Sequence, residues 1–107
     1  MSLRIKSGVS ITGIKPEMVL AAIIADGVYK SEYISECWIT SGLEAKHMTN
    51  SLHYVGYALD FRINNLSDYQ REKILIVLKD RLGKQYDVIL KSNCIHIEFQ
   101  PEMGNNL

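Results

Sequence analysis

The apolar positions of this 107-residue chain switch between helical spacing and strict alternation, and the switches mark out its elements. A weak alternation around Val9 and Ile11 predicts a short strand within the first residues. Pro16 then stands where a helix begins, with Glu17 in a first turn that favours acidic side chains. Val19, Leu20, Ile23 and Ile24 follow at helical spacing; the apolar run Met18 to Ala25 reads as a buried helix, and Gly27 is expected to close it. Glu36 to Thr40 is short, rich in strand formers and followed by Ser41-Gly42. After a polar loop from Leu43 to Leu52, Tyr57 to Ile63 alternates with period two, placing Tyr57, Leu59, Phe61 and Ile63 on one face and Ala58, Asp60 and Arg62 on the other.

Ser67 and Gln70 form a capping box ahead of Ile74, Leu75, Leu78 and Leu82, an amphipathic helix that Gly83 stops. Tyr86 to Lys91 and Cys94 to Phe99 read as a strand pair joined at Ser92-Asn93, and Pro101 ends the pairing. The order of elements predicts an α+β fold, a mainly antiparallel sheet with two main helices packed on it. No linker, repeat or low-complexity tract interrupts the chain, so residues 1–107 read as a single domain.

Composition narrows the function classes. Twelve basic residues balance twelve acidic ones, which leaves no electrostatic footprint for nucleic acid or an anionic membrane surface. No apolar run approaches the roughly 18 residues that a membrane span needs, and no secretory signal pattern opens the chain. Synthesis in the cytoplasm is the expectation. The two cysteines, Cys37 and Cys94, make no CxxC motif and suit a reducing compartment as small buried side chains.

The chain has three histidines, His47, His53 and His96. His53 stands in the loop feeding the strand that carries Asp60, and His96 lies in the last strand, where Cys94 and Glu98 share its face. Two imidazoles and a carboxylate suit zinc and leave a fourth position for water, although a lone histidine is more often a satisfied polar residue in a strand than a ligand. Around them, Ser51 and Arg62 either bind a substrate carboxylate or are a turn serine and a surface arginine. Glu98 is a candidate partner behind His96, His47 either a closing ligand or a loop contact, and Cys94 either a thiol near the metal or an inert buried one. Trp38, the only tryptophan, is expected in the core.

The segment Ser51-Leu52-His53-Tyr54-Val55-Gly56-Tyr57-Ala58-Leu59-Asp60 resembles the SxHxxGxAxD signature of the zinc D-Ala-D-Ala carboxypeptidase family. That family includes phage L-alanyl-D-glutamate endolysins and is similar in fold to the hedgehog signalling domain. Ile95-His96-Ile97-Glu98-Phe99 resembles its closing HIHVE block, and the likeness runs from about Gly13 to Pro101. The resemblance implies that His53, Asp60 and His96 hold zinc and that the substrate is the stem peptide of peptidoglycan. It also implies action at the cell wall after lysis, with a holin as partner or as part of a virion.

One departure matters. The family's acidic general base stands three, or in some relatives about five, residues before the final histidine, and those positions are Asn93 and Lys91. A general base contributes about 10²–10⁴-fold, so catalysis is expected to be impaired or to use Asn93 or Lys91 in an unusual role. The alternative is a non-catalytic, zinc-stabilised binding module of phage or prophage origin.

Overall fold

A computed structural model of the chain describes residues 2–44, 53 and 55–100. Among these, strand β1 (Ser2–Ile5) leads to helix α1 (Pro16–Ser31), then β2 (Glu36–Ser41), β3 (Ala58–Arg62), helix α2 (Asp68–Leu82), β4 (Tyr86–Leu90) and β5 (Cys94–Phe99). The strands form one five-stranded sheet in the order β1-β2-β3-β5-β4. β1 and β2 are parallel, joined across α1; the other pairings are antiparallel. This is the α+β arrangement that the hydrophobic pattern predicts.

Both helices pack on one face of the sheet. Met18, Ala21, Ala25, Val28 and Tyr29 from α1 and Ile74 and Leu78 from α2 meet Ile39, Leu59, Phe61, Ile95 and Ile97 from the strands. The Tyr29 hydroxyl donates to the Arg62 carbonyl at 2.8 Å, which ties α1 to β3. The alternation along β3 and β5 sends the apolar residues to this core and leaves Asp60, Arg62, Cys94, His96 and Glu98 on the opposite face, on which neither described helix packs. No helix among the described residues is long and apolar enough to cross a membrane.

Four details of the pattern turn out differently. The first strand is Ser2–Ile5, not the Val9–Ile11 region, whose side chains are half-buried in the following loop. Helix α1 runs through Gly27 to Ser31, because burial of Val28 and Tyr29 outweighs the roughly 1 kcal/mol that a mid-helix glycine costs. Its buried side is the small Ala21, Ala22 and Ala25 with Met18, while Val19, Leu20 and Ile23 are 45%, 52% and 60% exposed. The larger residues had suggested the opposite orientation; the alanines allow the helix to lie closer to the sheet. Trp38 is not in the core either. Cys37 and Ile39 take the core-facing register of β2, and Trp38 stands on the face away from the helices.

The capping box is as predicted. Gln70 N donates to Ser67 Oγ at 3.1 Å and Ser67 N to Gln70 Oε1 at 2.9 Å. The β4–β5 turn is also as predicted, closed by Lys91 N donating to Cys94 O at 2.8 Å across Ser92-Asn93.

Candidate metal centre

Asp60 and His96 face each other directly across the β3–β5 ladder. Their side chains meet on the side of the sheet away from the helices, with His96 Nδ1 2.7 Å from Asp60 Oδ1. His53 enters from the turn ahead of β3, and its Nε2 lies 3.5 Å from the same carboxylate oxygen. The two imidazole rings are tilted, with centroids 5.1 Å apart. Both histidines are buried.

The turn that carries His53 is set by Gly56. Gly56 has φ +85°, and a β-carbon there would stand 2.7 Å from the Gly13 carbonyl oxygen, so the backbone of the loop before α1 lies where a side chain would be. Gly56 N donates to His53 O at 3.2 Å, and Lys15 N donates to Gly56 O at 3.0 Å. The turn is thereby fastened to the start of α1.

The outer nitrogen of each ring is engaged in a way that turns the inner one toward Asp60. His53 Nδ1 lies 3.0 Å from the Gly42 carbonyl oxygen, which can only accept, so Nδ1 carries the proton and Nε2 turns toward Asp60. His96 Nε2 donates to Glu98 Oε1 at 2.7 Å, which leaves Nδ1 toward Asp60. Glu98 is itself held, accepting from Gln100 Nε2 on its other oxygen. An acceptor behind each histidine is the arrangement that orients metal-binding imidazoles and raises their basicity.

Electrostatics agree with the geometry. Burial would raise the Asp60 pKa, but hydrogen bonds and charge from His53 and His96 outweigh it and hold the carboxyl far below its usual range. The hydrogen bond with Asp60 raises the His96 pKa; burial opposes this and Glu98 adds to it. A half-buried carboxylate with a buried imidazole on either side is a centre suited to a cation.

The donor atoms of His53, Asp60 and His96 all lie within 4.8 Å of one another. A tetrahedral ion with bonds of about 2.0–2.1 Å separates its ligand atoms by about 3.3 Å, and the two imidazole–carboxylate distances fall on either side of that value. The residues therefore fit a metal ion held by two nitrogens and one oxygen.

No family model, curated protein or solved structure matches the chain. The site thus stands on its own geometry.

A cleft of about 370 Å³ opens beside the centre, lined among others by Lys6, Thr40, Asp60, Arg62, Asn93 and Cys94. Arg62 stands over Trp38, its guanidinium carbon 4.8 Å from the ring centroid. Neither Lys6 nor Arg62 has an ion-pair partner among the described residues, whereas Arg4 on the same side is paired with Glu36 at 2.8 Å. Cys94 faces the cleft with its thiol pushed up to about 11, by burial first and then by the Asp60 charge.

The predicted site residues thus separate into groups. His53, Asp60 and His96 come together, Glu98 stands behind His96, and Arg62, Asn93 and Cys94 line the adjoining cleft. Lys91 is exposed at the mouth of the hairpin, so its ammonium lacks the dry surroundings that a lysine base needs. Ser51 and His47 lie outside the described residues. Lys6, Trp38 beneath Arg62 and the Gly42 carbonyl were not foreseen. Trp38 was legible in principle, since Cys37 and Ile39 bracket it with the core register; a main-chain acceptor such as Gly42 leaves no mark in residue types.

Proposed function

We propose that the chain is a zinc-dependent peptidase-type domain for peptidoglycan stem peptides, with catalysis weakened by the loss of the usual acid. The carrying observation is the pair of buried histidines whose outer nitrogens are fixed by Gly42 and Glu98 and whose inner nitrogens converge on Asp60. The SxHxxGxAxD-like segment around His53 and Asp60, and the closing block around His96, support zinc as the metal and the hedgehog-like peptidase fold as the framework.

Zinc bound there supplies a Lewis acid for the scissile carbonyl and lowers the pKa of a coordinated water to about 7. The protein's own contribution is positional. Lys6 and Arg62, with no ion-pair partner among the described residues, offer positive charge to a substrate carboxylate, and the Trp38 ring helps to hold the Arg62 guanidinium in place. The Asn93 amide, at the position of the family acid, can hold a developing oxyanion or orient water but takes up no proton at neutral pH.

A second reading is a zinc-stabilised module of phage or prophage origin that binds cell-wall peptide without cleaving it. One observation favours it: Asp60 is the sole acid lining the cleft among the described residues, and Glu98 is occupied by His96 and Gln100. The deciding experiment is metal content of the purified protein together with peptide release from purified peptidoglycan. About one zinc per chain with release of peptide ends supports the peptidase. Zinc without release supports the binding module, and failure to take up added zinc sinks both.

A further inference from the structure

The two histidines are oriented differently. His96 is backed by a side chain, Glu98, but His53 is backed by a main-chain carbonyl, Gly42 O. A carbonyl orients an imidazole only as well as its own peptide plane is fixed, and Gly42 lies just beyond the end of β2, where the sheet no longer holds it.

A separate set of contacts does. Glu44 Oε1 accepts from Gly42 N at 2.8 Å and, more loosely, from Ser10 N at 3.4 Å, joining the end of β2 to the loop ahead of α1. Leu43 N donates to Ser10 O at 2.6 Å between the same two segments. The contact is so close that a β-carbon on Gly42 would stand 2.3 Å from Ser10 O. Glu44 is part-buried in this junction, and the hydrogen bonds it accepts from the backbone and from Ser41 keep it ionised against the effect of burial. Removing its carboxylate would leave the Gly42 and Ser10 N–H groups without their acceptor, and the Leu43 N–Ser10 O bond alone would then hold the two segments and the plane of the Gly42 carbonyl.

We infer that Glu44 is a positioning residue for the metal centre: by accepting from Gly42 N and Ser10 N it holds together the two segments whose Leu43 N–Ser10 O bond fixes the plane of the Gly42 carbonyl, and that carbonyl holds the Nδ1 proton of His53 and so presents Nε2 to the ion. Glu44 acts through the Gly42 and Ser10 backbone and so selects which nitrogen of His53 coordinates. The inference rests on the metal-binding reading of His53, Asp60 and His96, and it extends the support behind His53 by one more shell, as is general for metal-binding imidazoles.

The test uses the full chain as wild type, Glu44→Ala and Glu44→Gln. Zinc alone is the probe, titrated against a chromophoric chelator, and ¹⁵N NMR of the metal-free proteins reads the His53 tautomer. The expected result is a single Nδ1–H tautomer in the wild type. Glu44→Ala should show a tautomer mixture and a zinc affinity lower by about tenfold or more. Glu44→Gln, whose amide oxygen accepts from the same N–H groups, should recover both properties.

Unchanged affinity and tautomer in Glu44→Ala would overturn the inference. So would an affinity loss that tracks global unfolding by circular dichroism while the folded fraction keeps the Nδ1–H tautomer. If the wild type itself binds no zinc, the metal reading fails, and the metal-free tautomer still decides whether Glu44 orients His53.

Discussion

Asp60 receives both histidines on a single oxygen, with His96 at 2.7 Å and His53 at 3.5 Å from Oδ1. Because His96 already gives its Nε2 proton to Glu98, the short contact to an ionised Asp60 makes the metal-free His96 an imidazolium held between two carboxylates. A metal ion entering the centre replaces one proton on His96 and leaves the Glu98 bond in place. The metal-free protein is thus a proton-filled form of the same constellation.

A ranking of variants follows from this arrangement. Asp60→Ala removes a ligand atom and should abolish measurable zinc binding. Glu98→Ala removes only the acceptor behind His96 and should weaken zinc affinity by about 10–100-fold. Competition with a chelator separates the two. Equal losses would mean that Glu98 is itself a ligand, and no loss in Asp60→Ala would remove Asp60 from the centre.

Two glycines test the backbone that carries the site. Gly56→Ala imposes φ +85° on a residue with a β-carbon and drives that carbon to 2.7 Å from Gly13 O. The backbone conformation alone costs about 1–3 kcal/mol, and zinc affinity should fall with it because the His53 turn must shift. Gly27→Ala meets nothing within 4 Å in the middle of α1 and should stabilise the protein by about 0.5–1 kcal/mol. Urea melts of both variants measure the difference in sign.

The opposite behaviour of these glycines shows what the residue pattern could and could not reveal. Alternation in Tyr57–Ile63 and Cys94–Phe99 separated core from open face correctly, because a strand's period is set by its own backbone, and with it came the meeting of Asp60 and His96. The end of α1 and its buried side depend on partners that its own residues do not reveal. Gly27 looks like a stop until Tyr29 is seen bonded to Arg62, and Val19 and Leu20 look like core until the alanines are seen against the sheet. The Gly42–Glu44 junction depends on Ser10, more than thirty residues away in sequence, and no local pattern carries it.

Cys94 provides a check on the cleft. Its pKa of about 11 reflects burial first and the Asp60 carboxylate second. Both disfavour the thiolate, so at pH 8 on the order of 0.1% is reactive, far less than for an ordinary thiol with a pKa of about 8.5. Alkylation should be slow in the folded protein, rise as pH climbs toward 11, and become fast once urea unfolds the chain. Peptide mapping of the label distinguishes Cys94 from the fully buried Cys37. Native labelling of Cys94 at the unfolded rate would show that the cleft wall is not closed around it.

Asn93, proposed to stand where a peptidase would have its acid, gives the most direct test of catalysis. Asn93 lines the cleft beside Asp60 and is exposed at the hairpin turn, so Asn93→Asp introduces a carboxylate without a packing penalty. If the site retains the rest of a peptidase, zinc affinity should stay nearly unchanged and peptide release should increase by about 10²–10⁴-fold, the range of a restored general base. Lys91→Glu should do much less, because Lys91 projects from the hairpin outside the residues that line the cleft. A gain in Lys91→Glu alone would move the base to the other position and reassign Asn93 to substrate contact. Zinc binding intact with no gain in either variant would mean that the cleft binds peptide without cleaving it, which is what the second reading requires.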